Sequence, residues 1–195
     1  MHSVYLVRHG KSSMEGSEAE RGLEPEGEEH AKAIAARLQS LSPPVKAIYA
    51  SPYRRAQLTM TPLAEQLGLS ITVIDDFREK DMSDQPVDDM KAARLKMWQD
   101  FDFRLSGGES IREAQSRALA ALDTVRQSHP DEAVAIGSHG TLIALILNSF
   151  MPDFGYESWR GMLMPDIYRI DFPEDGEPVT EHVGCPTDDA FQVQG

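Results

Sequence analysis

Short apolar runs alternate along this chain with longer segments in which apolar residues recur at helical spacing. The runs at 4–7, 45–50, 71–74 and 133–137 have the length and composition of strands that are buried on both faces of a sheet. The segments between the first three runs predict two helices, because their apolar residues return every three or four positions. These residues are Ala31, Ile34, Ala35, Leu38 and Leu41 in the first helix, and Ala56, Met60, Leu63, Ala64 and Leu67 in the second.

The second half of the chain begins with a stronger helix signal. Ser110 and Glu113 have the spacing of a capping box, and an apolar stripe follows them as far as Val125. A further apolar helix is expected at 141–150, directly after the fourth strand. These segments continue the alternation of strand and helix.

The remaining segments are less periodic. Residues 75–108 lack a clean period apart from a helical patch at 90–98, which predicts loops and a short helix over one end of the fold. The apolar runs at 167–172 and 179–183 are predicted to be edge strands.

Alternation of strands and helices predicts an α/β fold, a three-layer α/β/α sandwich with a mainly parallel sheet. A chain of 195 residues has the length of one ordinary domain, and no linker separates two cores. We therefore expect a single domain over 1–195, with 76–108 as a covering loop and helix region and 186–195 as a polar tail.

Composition narrows the class of protein. A net charge of −13 argues against a nucleic-acid or anionic-membrane partner that is held by a broad positive surface. No apolar stretch reaches membrane-spanning length, and the first residues do not resemble a signal peptide, so the cytoplasm is the expected compartment. Cys185 is the only cysteine, which excludes an intrachain disulfide and predicts a small, partly buried apolar side chain.

The basic residues that are candidates for binding a ligand follow three of the predicted strands. Arg8 and His9 end the first strand, Arg55 follows the second, and His139 follows the fourth. Because ligands of such sheets bind outside the carboxyl ends of the strands, these side chains are expected to form one basic pocket in an acidic protein. Arg54 and Arg55 also lie at a helix start, where the helix dipole disfavours cations, and this predicts a compensating anion.

Two arginines and two histidines around one point match a tetrahedral dianion such as a phosphoryl group. Gly140 follows His139 at a helix start, where a backbone N–H can contact an anion closely. A metal site is the alternative, but these turns lack the spacing of metal ligands and their arginines would repel a cation.

The sequence resembles the histidine phosphatase superfamily, in its phosphoglycerate-mutase-like branch. The matching motifs run through most of the chain: Arg8-His9-Gly10, Leu23-x-Pro25-x-Gly27, Ser51-Pro52-x-x-Arg55-Ala56-x-x-Thr59, Gly108-Glu109-Ser110 with Arg117, and Ser138-His139-Gly140.

The resemblance implies a phosphoglycerate-mutase-like fold and a nucleophilic His9 that becomes a phosphohistidine. It implies that Arg8, Arg55 and His139 bind the phosphoryl group, that Glu79 is the proton donor, and that no metal or organic cofactor takes part. A carboxyl group near His9 is also what the chemistry requires, because an alkoxide leaving group needs a proton. Asp81 and Asp84 are the competing candidates for that acid.

The chain departs from the family pattern in the loop after His9. Family members often have an asparagine that binds phosphate where this chain has Glu15. A carboxylate facing phosphate would repel it, so either the loop turns away or the contact is lost, with Lys11 and Ser12 as substitutes. Glu24 stands where threonine is common as a helix cap.

These features predict a phosphatase that hydrolyses a phosphomonoester of a small molecule or of a phosphoprotein. A mutase is the first alternative, although a chain of this length leaves little covering structure for one. A binding module without turnover is the second alternative. Cations and aromatic side chains in the covering region either grip a large or multiply charged ester or pack that region on the core: Lys80, Arg94, Lys96, Arg104, Trp98, Phe101 and Phe103.

Overall fold

The computed structural model describes residues 2–184 and 186, together with the backbone of 191–192. Within them the strands are β1 (His2–Arg8), β2 (Val45–Ala50), β3 (Ile71–Val73), β4 (Ala133–Ser138), β5 (Leu163–Met164), β6 (Asp166–Phe172), β7 (Val179–His182) and β8 (Phe191–Gln192). The helices are α1 (Pro25–Gln39), α2 (Arg54–Leu67), α3 (Met90–Gln99), α4 (Ile111–Ser128), α5 (Gly140–Phe150) and α6 (Tyr156–Gly161), and a 3-10 turn at Asp75–Phe77 follows β3.

Six of these strands form one mixed sheet in the order β3-β2-β4-β1-β6-β7. The pairs among β3, β2, β4 and β1 are parallel, whereas β6 pairs antiparallel with both β1 and β7. The α/β prediction is confirmed, with a mainly parallel sheet that has two antiparallel strands on one side. The remaining strands, β5 and β8, pair with each other.

The prediction that 167–172 forms an edge strand is wrong. Strand β6 lies between β1 and β7, and most of its residues are buried. The sequence run is short and apolar, a pattern that fits an inner or an outer strand equally well. Strand β7, which is mostly exposed, takes the edge.

Strand β1 lies at the centre of the core because each of its residues is buried. Val4 and Leu6 belong to a core cluster with α4 and α5, and Tyr5 and Val7 belong to a second cluster with α1 and α2. Successive side chains of a strand point to opposite faces, so this one run of apolar residues packs helices on both sides of the sheet.

Local sequence signals set the ends of two helices. Helix α4 begins with the predicted capping box, in which the Ser110 hydroxyl accepts from the Glu113 N–H and the Glu113 carboxylate accepts from the Ser110 N–H. Helix α2 ends at Gly68, whose φ of 65° lies in the left-handed region that glycine adopts without strain.

Two elements between α5 and β6 escaped the sequence analysis, α6 and β5. Both lie in the segment between α5 and β6, which is too short and too mixed in composition to show a period. Their position matters because the carbonyl groups at 162 and 163 contact the end of β1. None of the described helices combines the length and the apolar character that crossing a membrane requires.

The prediction for Cys185 lies outside the described residues. Most of the predicted polar tail at 186–195 lies outside them as well, apart from 186 and the backbone of β8.

Candidate active site

A cavity of about 920 Å³ opens at the carboxyl ends of β1, β2 and β4. The register pairs Arg8 with Ser138 and Ala50 with Gly137, so the three strands end together and their following turns converge. The cavity lining includes seven of the eight residues that the sequence analysis assigned to the site: Arg8, His9, Lys11, Ser12, Arg55, Glu79 and Gly140. The eighth, His139, is fully buried directly behind His9, with ring centroids 5.2 Å apart.

His9 is held in one tautomer. Its Nδ1 lies 2.8 Å from the carbonyl oxygen of Gly10 and donates a hydrogen bond to it, and its Nε2 accepts from Arg55 Nε at 3.1 Å. Burial, together with the positive charge of Arg55, lowers the pKa of His9 well below its ordinary value of 6.5. The imidazole is therefore neutral near pH 7, with a lone pair on Nε2, which is the form of a nucleophile.

His139 is the second buried imidazole. Its Nε2 lies 2.7 Å from Ser51 Oγ, and its Nδ1 has no hydrogen-bond partner among the described residues. Burial is the main cause that lowers the pKa of His139 well below 6.5, with His9 and Arg55 as further causes. The ring is neutral as well, and its Nδ1 makes no hydrogen bond to the described residues.

Arg8 is the last residue of β1, and its side chain contacts the segment before β6. Its Nη1 donates to the carbonyl oxygens of Met162 and Leu163, each at 3.1 Å, while its buried Nε has no partner among the described residues. Gly140 lies against the guanidinium, because a Cβ on Gly140 would come within 2.7 Å of Arg8 Cζ. The glycine after His139 thus makes room for an arginine as well as for a ligand.

We call Arg8, His9, Arg55 and His139 the site floor. Two of its buried polar atoms, Arg8 Nε and His139 Nδ1, lack partners among the described residues. A buried polar group without a hydrogen bond costs about 1–3 kcal/mol, so a ligand oxygen that reaches these atoms removes an existing cost. The site floor fits an oxyanion.

The compensating anion that Arg55 required is a side chain of the protein, Glu18. Arg55 Nη1 donates to the Glu18 carbonyl oxygen and Arg55 Nη2 to the Glu18 carboxylate, both at 2.6 Å. Arg21 Nη2 donates to the same carboxylate oxygen at 2.8 Å. A carboxylate thus bridges two cations beside His9. The sequence analysis missed both Glu18 and Arg21, because nothing in their spacing separates them from other loop charges.

The residues 11–23, which we call the entrance loop, correct two expectations. Lys11 lines the cavity, but its ammonium group pairs with Glu26 at 2.5 Å and Glu24 at 3.4 Å, so its charge is already compensated. Glu15 is exposed and does not line the cavity, which means that the loop turns it away from the site. Ser12 lines the cavity and its Oγ accepts from Arg21 Nη1 at 3.4 Å.

The side chain of Glu79 contacts the start of α5. Its carboxylate accepts hydrogen bonds from the backbone N–H groups of Thr141, at 3.1 Å, and Leu142, at 3.0 Å. The positive end of the helix dipole points at this carboxylate. Asp81 and Asp84 also line the cavity, but both are exposed and neither contacts the helix. Of the three candidate acids, Glu79 is the one whose carboxylate accepts hydrogen bonds from the start of α5.

A partly buried arginine, Arg117, supports the segment that carries Glu79. Arg117 donates to the carbonyl oxygens of Asp76, Arg78 and Glu79, at 2.7, 3.1 and 3.2 Å. Its Nε and Nη2 also form a two-point ion pair with the Glu109 carboxylate, at 2.7 and 2.8 Å. The sequence motif that contains these two residues is therefore a support for the turn after β3. Among the described residues, no cluster of three or more His, Cys, Asp or Glu side chains is arranged to hold a metal ion.

Comparison with known proteins agrees with this geometry. The sequence profile of the histidine phosphatase superfamily (branch 1) matches residues 4–182. The chain is 30% identical over 155 residues to an uncharacterized phosphatase, PhoE, of Bacillus subtilis, over 75% of this chain and 76% of that protein. It is 27% identical over 191 residues to a probable phosphoglycerate mutase, GpmB, of Salmonella choleraesuis, over 89% and 86% of the two chains.

Among solved structures, a mycobacterial glucosyl-3-phosphoglycerate phosphatase superposes on this chain with a TM-score of 0.72. The superposition covers 86% of this chain and 89% of that chain at 22% identity, which shows a common fold. The family profile covers nearly the whole chain and includes the site floor. This protein belongs to the histidine phosphatase superfamily.

Proposed function

We propose that this protein hydrolyses phosphate monoesters through a phosphohistidine on Nε2 of His9. The observation that carries the proposal is the state of the His9 ring, which is buried and neutral, has its Nδ1 proton on the Gly10 carbonyl and presents its Nε2 next to Arg55. A neutral imidazole with a fixed lone pair attacks phosphorus without first losing a proton.

In the first step the Nε2 lone pair forms a bond to phosphorus and the bond from phosphorus to the ester oxygen breaks. Arg8 and Arg55 stabilise the charge on the phosphoryl oxygens, and the unpaired Nδ1 of His139 offers a further contact. The leaving oxygen takes a proton from the Glu79 carboxyl group.

In the second step water attacks phosphorus while the Glu79 carboxylate accepts its proton. The bond between phosphorus and Nε2 breaks, the electron pair returns to the His9 ring, and inorganic phosphate leaves. Glu79 has then regained the proton that it donated, so the cycle closes without a metal or an organic cofactor.

One experiment distinguishes a phosphatase from the two alternatives that the sequence analysis gave. A mutase returns the phosphoryl group to a second hydroxyl of an organic product, and a binding module forms no phosphoenzyme. We further propose a phosphorylated small molecule as the preferred substrate, with a phosphoprotein as the alternative, and the cytoplasm as the compartment.

The test is release of inorganic phosphate from 4-nitrophenyl phosphate after dialysis against a chelator, together with rapid quenching of a ³²P-labelled ester. We expect turnover that survives the chelator and acid-labile, base-stable label on the native protein. His9→Ala should abolish both, whereas His129→Ala, at the opposite end of the sheet, should retain both. Label without phosphate release would favour the mutase, and loss of activity that only a divalent metal restores would contradict the mechanism.

A further inference from the structure

The cavity has a second region that the chemistry on His9 does not use. Away from the site floor, it is bounded by apolar side chains from the covering region, the start of α4, α6 and β5, which we call the apolar wall. The apolar wall consists of Met82, Met97, Trp98, Ile111, Trp159 and Met164. A cavity of about 920 Å³ has the size of a site for a whole organic molecule and far exceeds a phosphoryl group.

Two indole rings dominate the apolar wall. Trp98 and Trp159 lie with ring centroids 6.4 Å apart and planes inclined by 33°, and both are half-buried. These rings thus give a concave site a large apolar and aromatic surface, which is the usual lining of a pocket for an organic ligand.

Two cations lie near the apolar wall, Arg94 and Lys80. The Arg94 guanidinium lies 5.7 Å from the centroid of the Trp159 ring, and the buried Lys80 ammonium donates to the Asp81 carbonyl oxygen at 3.1 Å. The cavity lining also contains the carboxylates of Asp81 and Asp84. A second anionic group on the substrate would meet these negative charges, whereas an uncharged ring would not.

We infer that the apolar wall is a subsite for a planar aromatic or heteroaromatic ring carried by the alcohol part of the substrate. This inference rests on the proposed phosphatase activity and names its substrate class. The phosphoryl group occupies the site floor while the ring packs on Trp98 and Trp159, so the ring adds to binding without taking part in the bond changes.

The experiment compares two alkyl esters that differ in the ring, 2-phenylethyl phosphate and ethyl phosphate. We expect kcat/KM for the ring-bearing ester to be at least about tenfold higher, because its ring adds apolar and stacking contacts. Trp98→Leu and Trp159→Leu keep apolar packing but remove the indole, and each should reduce that ratio. Inhibition by inorganic phosphate and the rate with ethyl phosphate should stay within about twofold, since neither substitution touches the site floor.

Phe103→Leu is the matched control, since Phe103 is a half-buried aromatic residue of the covering region that does not line the cavity. It should leave the ratio unchanged. Equal kcat/KM for the two esters, or Trp variants that lose both activities equally at an unchanged thermal midpoint, would overturn the subsite and leave the phosphatase standing. A kcat/KM for 3-phosphoglycerate above that for 2-phenylethyl phosphate would show that the subsite binds a second anionic group and not a ring. Failure of the native protein to hydrolyse any ester would instead reject the proposed function.

Discussion

The site floor and the entrance loop both supply charged groups to the cavity, but they are held in different ways. Arg8, His9, Arg55 and His139 are at most 6% exposed, and their contacts include backbone carbonyls and one another. The entrance loop has backbone hydrogen bonds of its own, but its charged side chains are held by ion pairs, and the Glu18 side chain that bridges two arginines is 57% exposed. Buried contacts fix a geometry, whereas exposed ion pairs exchange easily with other anions.

This difference predicts that substitutions in the two regions affect different steps. Substitutions in the site floor should reduce the rate of bond breaking, and substitutions in the entrance loop should change how strongly phosphate binds.

The largest effect is expected for Arg55→Ala. This side chain contacts the nucleophilic nitrogen, and loss of an arginine that stabilises a phosphoryl transition state typically costs about 10³–10⁵ in kcat. The neighbouring Arg54 is exposed and does not line the cavity, so Arg54→Ala should stay within about twofold. Steady-state kinetics with 4-nitrophenyl phosphate decide the matter, with circular dichroism to verify folding. Similar losses of kcat in the two variants would contradict the expected difference between the site floor and the residues around it.

Glu79→Gln is expected to have the next largest effect, on esters with a basic leaving group. Removing a general acid typically lowers the rate by about 10²–10⁴, and an alkyl phosphate depends on that acid more than an aryl phosphate does. Single-turnover formation of the phosphoenzyme is the measurement, because slow hydrolysis of the intermediate would hide the difference in steady state. Asp81→Asn and Asp84→Asn are the controls. A steep dependence on the leaving group in either of them, with none in Glu79→Gln, would reassign the acid.

Gly140→Ala tests whether the site floor depends on close packing. The added methyl group would come within 2.7 Å of Arg8 Cζ, so the guanidinium, which donates to two carbonyl groups, would have to shift. We expect kcat/KM to fall by about 10–100-fold, because displacement of a group by about 1 Å can cost 10²-fold. Gly155→Ala is the control, since its nearest neighbour would be 4.0 Å away. An active Gly140→Ala enzyme would mean that Arg8 tolerates movement.

The smallest effect is expected in the entrance loop. Glu18→Gln removes the negative charge that competes with phosphate for Arg21 and Arg55, so inorganic phosphate should inhibit about 3–10-fold more strongly. Glu15→Gln removes the same charge from an exposed position of the same loop and should change inhibition by less than about twofold. Weaker inhibition in Glu18→Gln would show that Glu18 orients the arginines instead of competing for them.

The same difference between a buried floor and a polar loop explains which features the sequence could predict. The bounds of β2 and the members of the site floor followed from apolar runs and from the residues that end them, because a buried strand and its turn leave a local pattern. The partners of Lys11 and the bridge formed by Glu18 left no such pattern, since they depend on how a polar loop folds over the strand ends. The inner position of β6 depended on a pairing with β7 that no local signal encodes.

The two imidazoles of the site floor also link the stability of the fold to acidity. In the folded chain the pKa values of His9 and His139 lie well below 6.5, whereas in the unfolded chain they return to about that value. Unfolding below pH 6.5 therefore takes up protons, and the free energy of unfolding falls as the pH falls. Each histidine contributes a slope of up to about 1.4 kcal/mol per pH unit. The arrangement that keeps the nucleophile free of its proton thus makes the fold itself sensitive to mild acid.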